Sequence, residues 1–168
     1  MRLLLWHCRQ LNFKDVKPST RPSNVHMSTP KASVGTFSNV VLCFACIEAE
    51  DVYETAAGAS KAVADFASIS SPKNGIVLMP FAHLSSHLAP PDKARTLLKT
   101  MADLLTESSA DQIALVSFGF HKDLLLRSMD AFGHPGSVAF REIPPPSAVH
   151  WEKECLLPRS KSRSDHAA

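Results

Sequence analysis

Apolar residues along this chain fall into short unbroken runs, and into two longer segments where they return every three or four positions. The runs at 40–47 and 75–79 leave no polar face, the pattern of strands covered on both sides. Strands are predicted over residues 1–8, 38–48, 74–80, 112–118, 120–129 and 137–143. In 51–68, Val52, Ala56, Ala59, Ala62, Val63 and Phe66 recur near a 3.6 period behind early acids, which predicts a helix. A second helix is predicted over 91–105, with Pro91 suited to its first turn and Ala94, Leu97, Leu98, Met101, Leu104 and Leu105 on one stripe. Residues 9–37 look different: Lys14, Lys17, Pro18, Arg21, Pro22, Pro30 and Lys31 interrupt any period. They read as a long loop, and loops of that length in compact domains are usually functional or disordered. Gly119 is read as the turn of a hairpin joining 112–118 to 120–129. Gly133, Pro135 and Gly136 demand a turn in 130–136. The order strand-loop-strand-helix-strand-helix-strand-strand-strand implies an α/β fold, a mixed sheet with two helices packed on it and right-handed parallel crossovers. Pro144-Pro145-Pro146 closes this domain at about residue 145, and 146–168 is a Pro-rich basic linker or tail.

Composition narrows the class without naming a function. The 168 residues are 45% apolar and 20% charged, with a formal charge of +2, so the chain suits one globular domain and is not uniformly basic. No apolar stretch approaches the roughly 18–20 residues of a membrane helix. The opening Met1-Arg2-Leu3-Leu4-Leu5-Trp6 has too short an apolar core for a signal peptide, so it is read as a strand and the cytoplasm as the location. Among the four cysteines, Cys43 and Cys46 form a Cys-x-x-Cys inside a strand. Residues three apart on a strand point to opposite faces, so the two are read with Cys8 and Cys155 as buried apolar fillers, not as a metal or redox pair.

The chemistry gathers at two strand ends. Pro80 breaks one strand and His83 follows three residues later; the other ends in Ser117-Phe118-Gly119-Phe120-His121-Lys122. In open sheets ligand sites gather at such ends, and a lysine there can stabilise developing negative charge. His121 and Lys122 face opposite ways on a regular strand, so both reach one pocket only if Gly119-Phe120 distorts it. His7 and His87 carry less, and His134, between Gly133 and Pro135, suits a turn at least as well as catalysis. Gly-x-Ser-x-Gly, the phosphate-binding Gly-rich loop and paired metal-ligand spacings do not occur. His83 and His87 are four apart, but no acid lies between them and Pro90-Pro91 follow.

The segments Pro80-Phe81-Ala82-His83-Leu84-Ser85-Ser86 and Phe118-Gly119-Phe120-His121-Lys122 resemble the N-terminal editing domain of archaeal threonyl-tRNA synthetases. That domain shares its fold with D-aminoacyl-tRNA deacylases. Met1 to His7, Val41 to Glu48 and Gly133-His134-Pro135 resemble further family segments, in order, so the likeness covers roughly residues 1–145. It implies a proofreading hydrolase that removes L-serine mischarged onto threonine tRNA, a second sieve after a site that cannot exclude a smaller isostere. Water attacks the 3′-terminal ester with help from the ribose 2′-hydroxyl, and neither metal nor cofactor takes part. Lys122 is implied to orient the substrate and stabilise the oxyanion, and His83 to order the pocket and the water. His121, the third residue implied to be catalytic, stands where family members often carry tyrosine; imidazole can donate a hydrogen bond too, but titrates near neutral pH. Pro80, Phe81, Ala82, Ser117, Phe118, Gly119 and Phe120 are implied to line the substrate pocket, with Cys46 and Ile47 around the amino-acid side chain. A family glutamate falls on Val138, so its charge is missing or comes from Glu142 or Glu48. The implied partners are mischarged seryl-tRNA(Thr), a threonyl-tRNA synthetase catalytic domain in cis or trans, and a second copy in a homodimer, with no membrane.

Two rival readings remain. A D-aminoacyl-tRNA deacylase of the bacterial type relies on a Gly-Pro pocket motif, and Gly-Pro occurs nowhere here. A non-catalytic tRNA-binding module would keep the fold and lose the chemistry, as His121 and Val138 allow.

Overall fold

The computed structural model describes residues 1–19, 33–108, 112–129 and 137–146. Its elements in order are β1 (Arg2–Pro18), β2 (Val34–Cys46), α1 (Tyr53–Ser70), β3 (Ile76–Pro80), a short 3-10 turn (Ala82–Leu84), α2 (Pro91–Ser108), β4 (Ile113–Leu115), β5 (Phe120–Ser128) and β6 (Val138–Glu142). The strands form one mixed sheet in the order β4-β3-β2-β1-β5, with β6 also on β1. β2, β3 and β4 run parallel, and the helices connect them. β1 is antiparallel to β2, β5 and β6. The mixed sheet with two helices expected from the sequence is the one found.

The continuous apolar run in β2 has a direct cause. Val41, Cys43 and Ala45 face the core shared with α1 and α2, where Leu3, Leu5, Ile76, Leu78, Leu98, Met101 and Leu105 are also buried. Val40, Leu42 and Phe44 face the opposite side, with Leu11, Phe13, Val77, Met79 and Val116. Both faces are dry, so polar residues have no place in the strand. α1 stops at Ser71, which adopts a left-handed conformation (φ 50°) and donates its N–H to the Ala67 carbonyl at 2.7 Å.

Two sequence expectations are corrected. The loop over 9–37 is strand on both sides of residues 20–32, which lie outside the described residues: β1 continues to Pro18, β2 starts at Val34, and they pair from Arg2–Cys46 to Lys14–Val34. Leu11 and Phe13 are buried on one face while Gln10 and Asn12 are half-buried and Lys14 exposed on the other, so half the residues are polar without the segment being a loop. Gly35 admits this packing, because a Cβ there would collide with the Phe13 ring. The hairpin through Gly119 is also absent: β4 pairs with β3, and β5 pairs with β1. A flat sheet would separate β4 from β5 by four strand spacings, about 19 Å. The five Cα steps from Leu115 to Phe120 reach at most about 17–18 Å. The sheet therefore curls, bringing Leu11 and Phe13 of β1 against Val116. Residues 116–119 cross its end, and Gly119 (φ 82°) accepts the Ser19 N–H at 2.7 Å. The expected turn at Gly133-His134-Pro135, the tail beyond Pro146, and Cys155 lie outside the described residues.

Candidate active site

β3 and β4 are parallel neighbours, with Leu78 opposite Leu115 and the Val116 N–H donating to the Leu78 carbonyl at 2.9 Å. The segments carrying His83 and Lys122 therefore leave adjacent strands at the same end of the sheet. That is the carboxyl end, where parallel strands present their connecting loops.

The first segment is tied down at several points. The Phe81 N–H donates to Ala45 at 2.9 Å, and its ring packs on Phe44 with centroids 4.7 Å apart. His83, in the 3-10 turn, stands edge-on to Phe81 at 5.1 Å and is exposed. An imidazole held by an aromatic neighbour and open to solvent can meet a ligand without losing its own support. Arg2 Nη1 donates to the Leu84 carbonyl at 3.1 Å, and Ser85 Oγ donates to Glu48 at 2.6 Å. Glu48 also accepts from the Met1 ammonium at 3.0 Å, which reaches Asp51 at 2.6 Å and the Ile143 carbonyl at 3.0 Å. Burial pushes the Glu48 carboxyl up, but Ser85, the Met1 ammonium and Arg2 outweigh it, and the net shift is below the usual range. Of the two acids weighed for the Val138 position, Glu48 thus anchors the His83 segment, and Glu142 pairs with Arg2 at 3.2 Å. Val138 itself lies on β6 opposite Trp6.

The second segment centres on Lys122, whose side chain is only 8% exposed. Its ammonium donates to the carbonyls of Ser117 at 2.8 Å and Phe120 at 3.2 Å. It lies 3.4 Å from Oδ1 of Asp15, a side chain with no solvent exposure. Asp15 Oδ2 accepts from the Ser33 N–H at 2.9 Å, the Ser33 hydroxyl at 3.0 Å and the Ser117 hydroxyl at 2.6 Å. Burial raises the Asp15 carboxyl, yet those donors and the Lys122 charge hold it below its ordinary value. Burial lowers the Lys122 ammonium, and Asp15 pushes back. Sequence reasoning missed Asp15 because it fell in the supposed loop. Its signal was an acid in the inward phase of the Leu11, Phe13, Asp15 alternation.

The remaining named residues divide by face. Pro80, Phe81, Ala82, Ser117, Gly119 and Phe120 sit in the two segments at the strand ends. Cys46 lies beside the backbone N–H of Leu84, next to His83. Ile47 and Phe118 instead pack into the helix-side core. The β1–β5 ladder shifts register between Asp15 and Lys17, but β5 keeps its alternation, so His121 is exposed opposite Lys17 while Lys122 turns inward opposite Asp15. Cys8, Cys43 and Cys46 are free and buried, and burial pushes the Cys8 thiol up to about 12 and raises Cys43 further. Among the described residues no three His, Cys, Asp or Glu side chains gather as metal ligands.

A buried ammonium and an exposed imidazole are thus carried by segments that meet the same end of a curled mixed sheet. Residues 1–143 match the archaea-specific editing domain of threonyl-tRNA synthetase, and the chain belongs to that family. It is 31% identical over 144 residues to the threonine–tRNA ligase of Staphylothermus marinus, covering 85% of this chain and 22% of that one. It is 34% identical over 107 residues to the threonine–tRNA ligase editing subunit of Saccharolobus solfataricus, covering 62% of this chain and 26% of the relative. The chain thus spans about a quarter of the length of these relatives. The structure shares its fold with the c-Myc DNA unwinding element binding protein, at TM-score 0.61 and 9% identity over 86% of this chain and 99% of that one. No helix among the described residues is long and apolar enough to cross a membrane.

Proposed function

We propose that this domain hydrolyses the ester of L-serine mischarged onto threonine tRNA. The observation that carries the reading is the Lys122 ammonium, buried and fixed where the His83 segment also leaves the sheet. In this reading water attacks the ester carbonyl, with the tRNA 2′-hydroxyl assisting, as the family resemblance implies. Lys122 orients the ester and stabilises the oxyanion, and one such donor is worth about 3 kcal/mol at the transition state. His83, steadied by Phe81, orders the attacking water. Cys46 bounds the space for the amino-acid side chain, where the extra methyl of threonine is worth about 1–3 kcal/mol of discrimination. His121 and Lys17, exposed and paired across β1 and β5, suit contact with tRNA phosphate.

The proposed setting is cytoplasmic, with a threonyl-tRNA synthetase catalytic domain supplying the mischarged tRNA in cis or trans. We also propose a homodimer paired through β5. Among the described residues β5 pairs only with β1. Leu125 is 50% exposed, and Asp123 and Arg127 are exposed on the same face of the strand. A two-fold axis at Leu125 sets Asp123 against Arg127 of the second copy, a self-complementary edge.

The test is single-turnover deacylation of L-seryl-, L-threonyl- and D-tyrosyl-tRNA. Serine should be released fastest, and Lys122→Met should abolish most of that release. Equal hydrolysis of serine and threonine defeats the selectivity, faster D-tyrosine release favours the deacylase reading, and binding without turnover favours the RNA-binding module.

A further inference from the structure

Nζ of a lysine carries three N–H donors. Two of those on Lys122 are committed to the Ser117 and Phe120 carbonyls, at 2.8 and 3.2 Å. The third meets Asp15 only across 3.4 Å, and buried Oδ1 accepts no hydrogen bond. Oδ2 of the same carboxylate takes three. The carboxylate is therefore clamped on one side and offers the ammonium attraction without saturating it. We propose that Asp15 is the positioning residue for Lys122: it holds the ammonium at the end of β4 and leaves one N–H for the developing oxyanion. The clamp joins β1, the entry to β2, the 116–119 connection and β5 through Asp15, Ser33, Ser117 and Lys122. The carboxylate at its centre has no solvent exposure, and Ser33, Ser117 and Lys122 stand half-buried around it. This proposal rests on the hydrolytic reading of Lys122 given above.

Among the described residues, charge compensation has one source. On β5 the flanking His121 and Asp123 alternate to the other face, opposite Lys17 and Lys14 of β1. The elements packed against the ammonium otherwise contribute Ser33, Ser117 and backbone carbonyls, none of which titrates near neutral pH. Burial works against the charged lysine and Asp15 opposes it, so neutralising Asp15 lets the ammonium lose its proton at lower pH.

The experiment follows kcat, KM and their pH dependence for seryl-tRNA deacylation, together with the ¹⁵Nζ titration of Lys122 by NMR. Asp15→Asn should lower kcat on the order of tenfold to a hundredfold, as displacement of a reacting group does, with KM for tRNA held. The alkaline limb of activity and the Lys122 titration should both move to lower pH. In a Lys122→Met background Asp15→Asn should cost no further activity, since groups acting as a unit are non-additive. Should Asp15→Asn fail to fold, the wild-type protein still decides: the Lys122 ¹⁵Nζ resonance should shift through the same acid transition that Asp15 ¹³Cγ reports. A Lys122 ¹⁵Nζ resonance indifferent to the Asp15 transition, or an Asp15→Asn protein that loses only melting temperature while its alkaline limb stays in place, would overturn the proposal. That response in a protein that deacylates nothing would retain the charge coupling, refute the hydrolytic reading, and with it the positioning role given to Asp15.

Discussion

Lys122→Met tests the buried pair through stability, independently of any substrate. Methionine keeps the hydrocarbon stem and removes the ammonium. Asp15, whose side chain has no exposure, keeps its three donors on Oδ2 but loses the cation opposite Oδ1. Removing one partner of a buried pair typically costs about 3–5 kcal/mol. The Ser117 and Phe120 carbonyls each lose a donor as well, though the 8% exposure of Lys122 lets water replace part of that. The surviving serine donors favour the lower end, about 3 kcal/mol. At about 2–4 °C per kcal/mol for a chain of this size, Tm should fall by roughly 6–12 °C. The penalty should shrink on acidification. Wild-type Asp15 has a depressed carboxyl, so its contribution is complete above the unfolded value of about 3.9 and is lost as pH falls through the lower folded value. Without Lys122 that carboxyl takes up its proton at higher pH, and once both proteins carry a neutral Asp15 the missing charge matters far less. Denaturant titration of both proteins at neutral and acidic pH measures the gap. A Lys122→Met protein as stable as wild type at neutral pH, or a gap that widens in acid, refutes the buried-pair account.

Gly35→Ala should destabilise by about 1–3 kcal/mol, seen in thermal melts, because the added Cβ runs into Phe13 and the stacked Phe37 and the curled end of the hairpin must repack. Ser85→Ala should leave the melt within about 1 kcal/mol of wild type, the worth of one hydrogen bond, and lower deacylation, because Glu48 loses one of its holds on the His83 segment. Arg127→Asp should drive a β5-paired dimer toward monomer in analytical ultracentrifugation, and Asp123→Arg in the same chain should restore it; a monomeric wild type or an indifferent Arg127→Asp removes that surface.

What could be read from the sequence divides along physical lines. α1, α2, β2 and β3 were legible because each buries a full face or a full stripe, and burial writes itself as an apolar period. The distal half of β1 was not. Only Leu11 and Phe13 mark its inward face, and the next inward position holds Asp15 in place of an apolar residue. That acid is tolerable because Lys122, Ser33 and Ser117 meet it there, and none of those contacts is local in sequence. The mistaken β4–β5 hairpin has the same root. Two apolar runs around Gly119 look like a turn as long as the chain before residue 37 is taken for a loop. Once β1 and β2 extend and curl, β5 finds its partner across the sheet, and Gly119 becomes a crossing point over its end.

The same reasoning explains why Asp15 was not read from the sequence beside Lys122. The site's two segments were visible as strand ends carrying polar groups, because a proline or a glycine placed just after an apolar run breaks a period abruptly. What holds Lys122 was invisible, because an ammonium buried at a strand end needs a counter-charge whose position in the chain no local rule supplies. A buried lysine predicted from pattern is thus itself a demand for an acid elsewhere. The place to look is an inward phase of alternation on a neighbouring strand, where an acid would otherwise be out of place. In this chain that search leads to residue 15, in the segment whose polarity disguised it as loop.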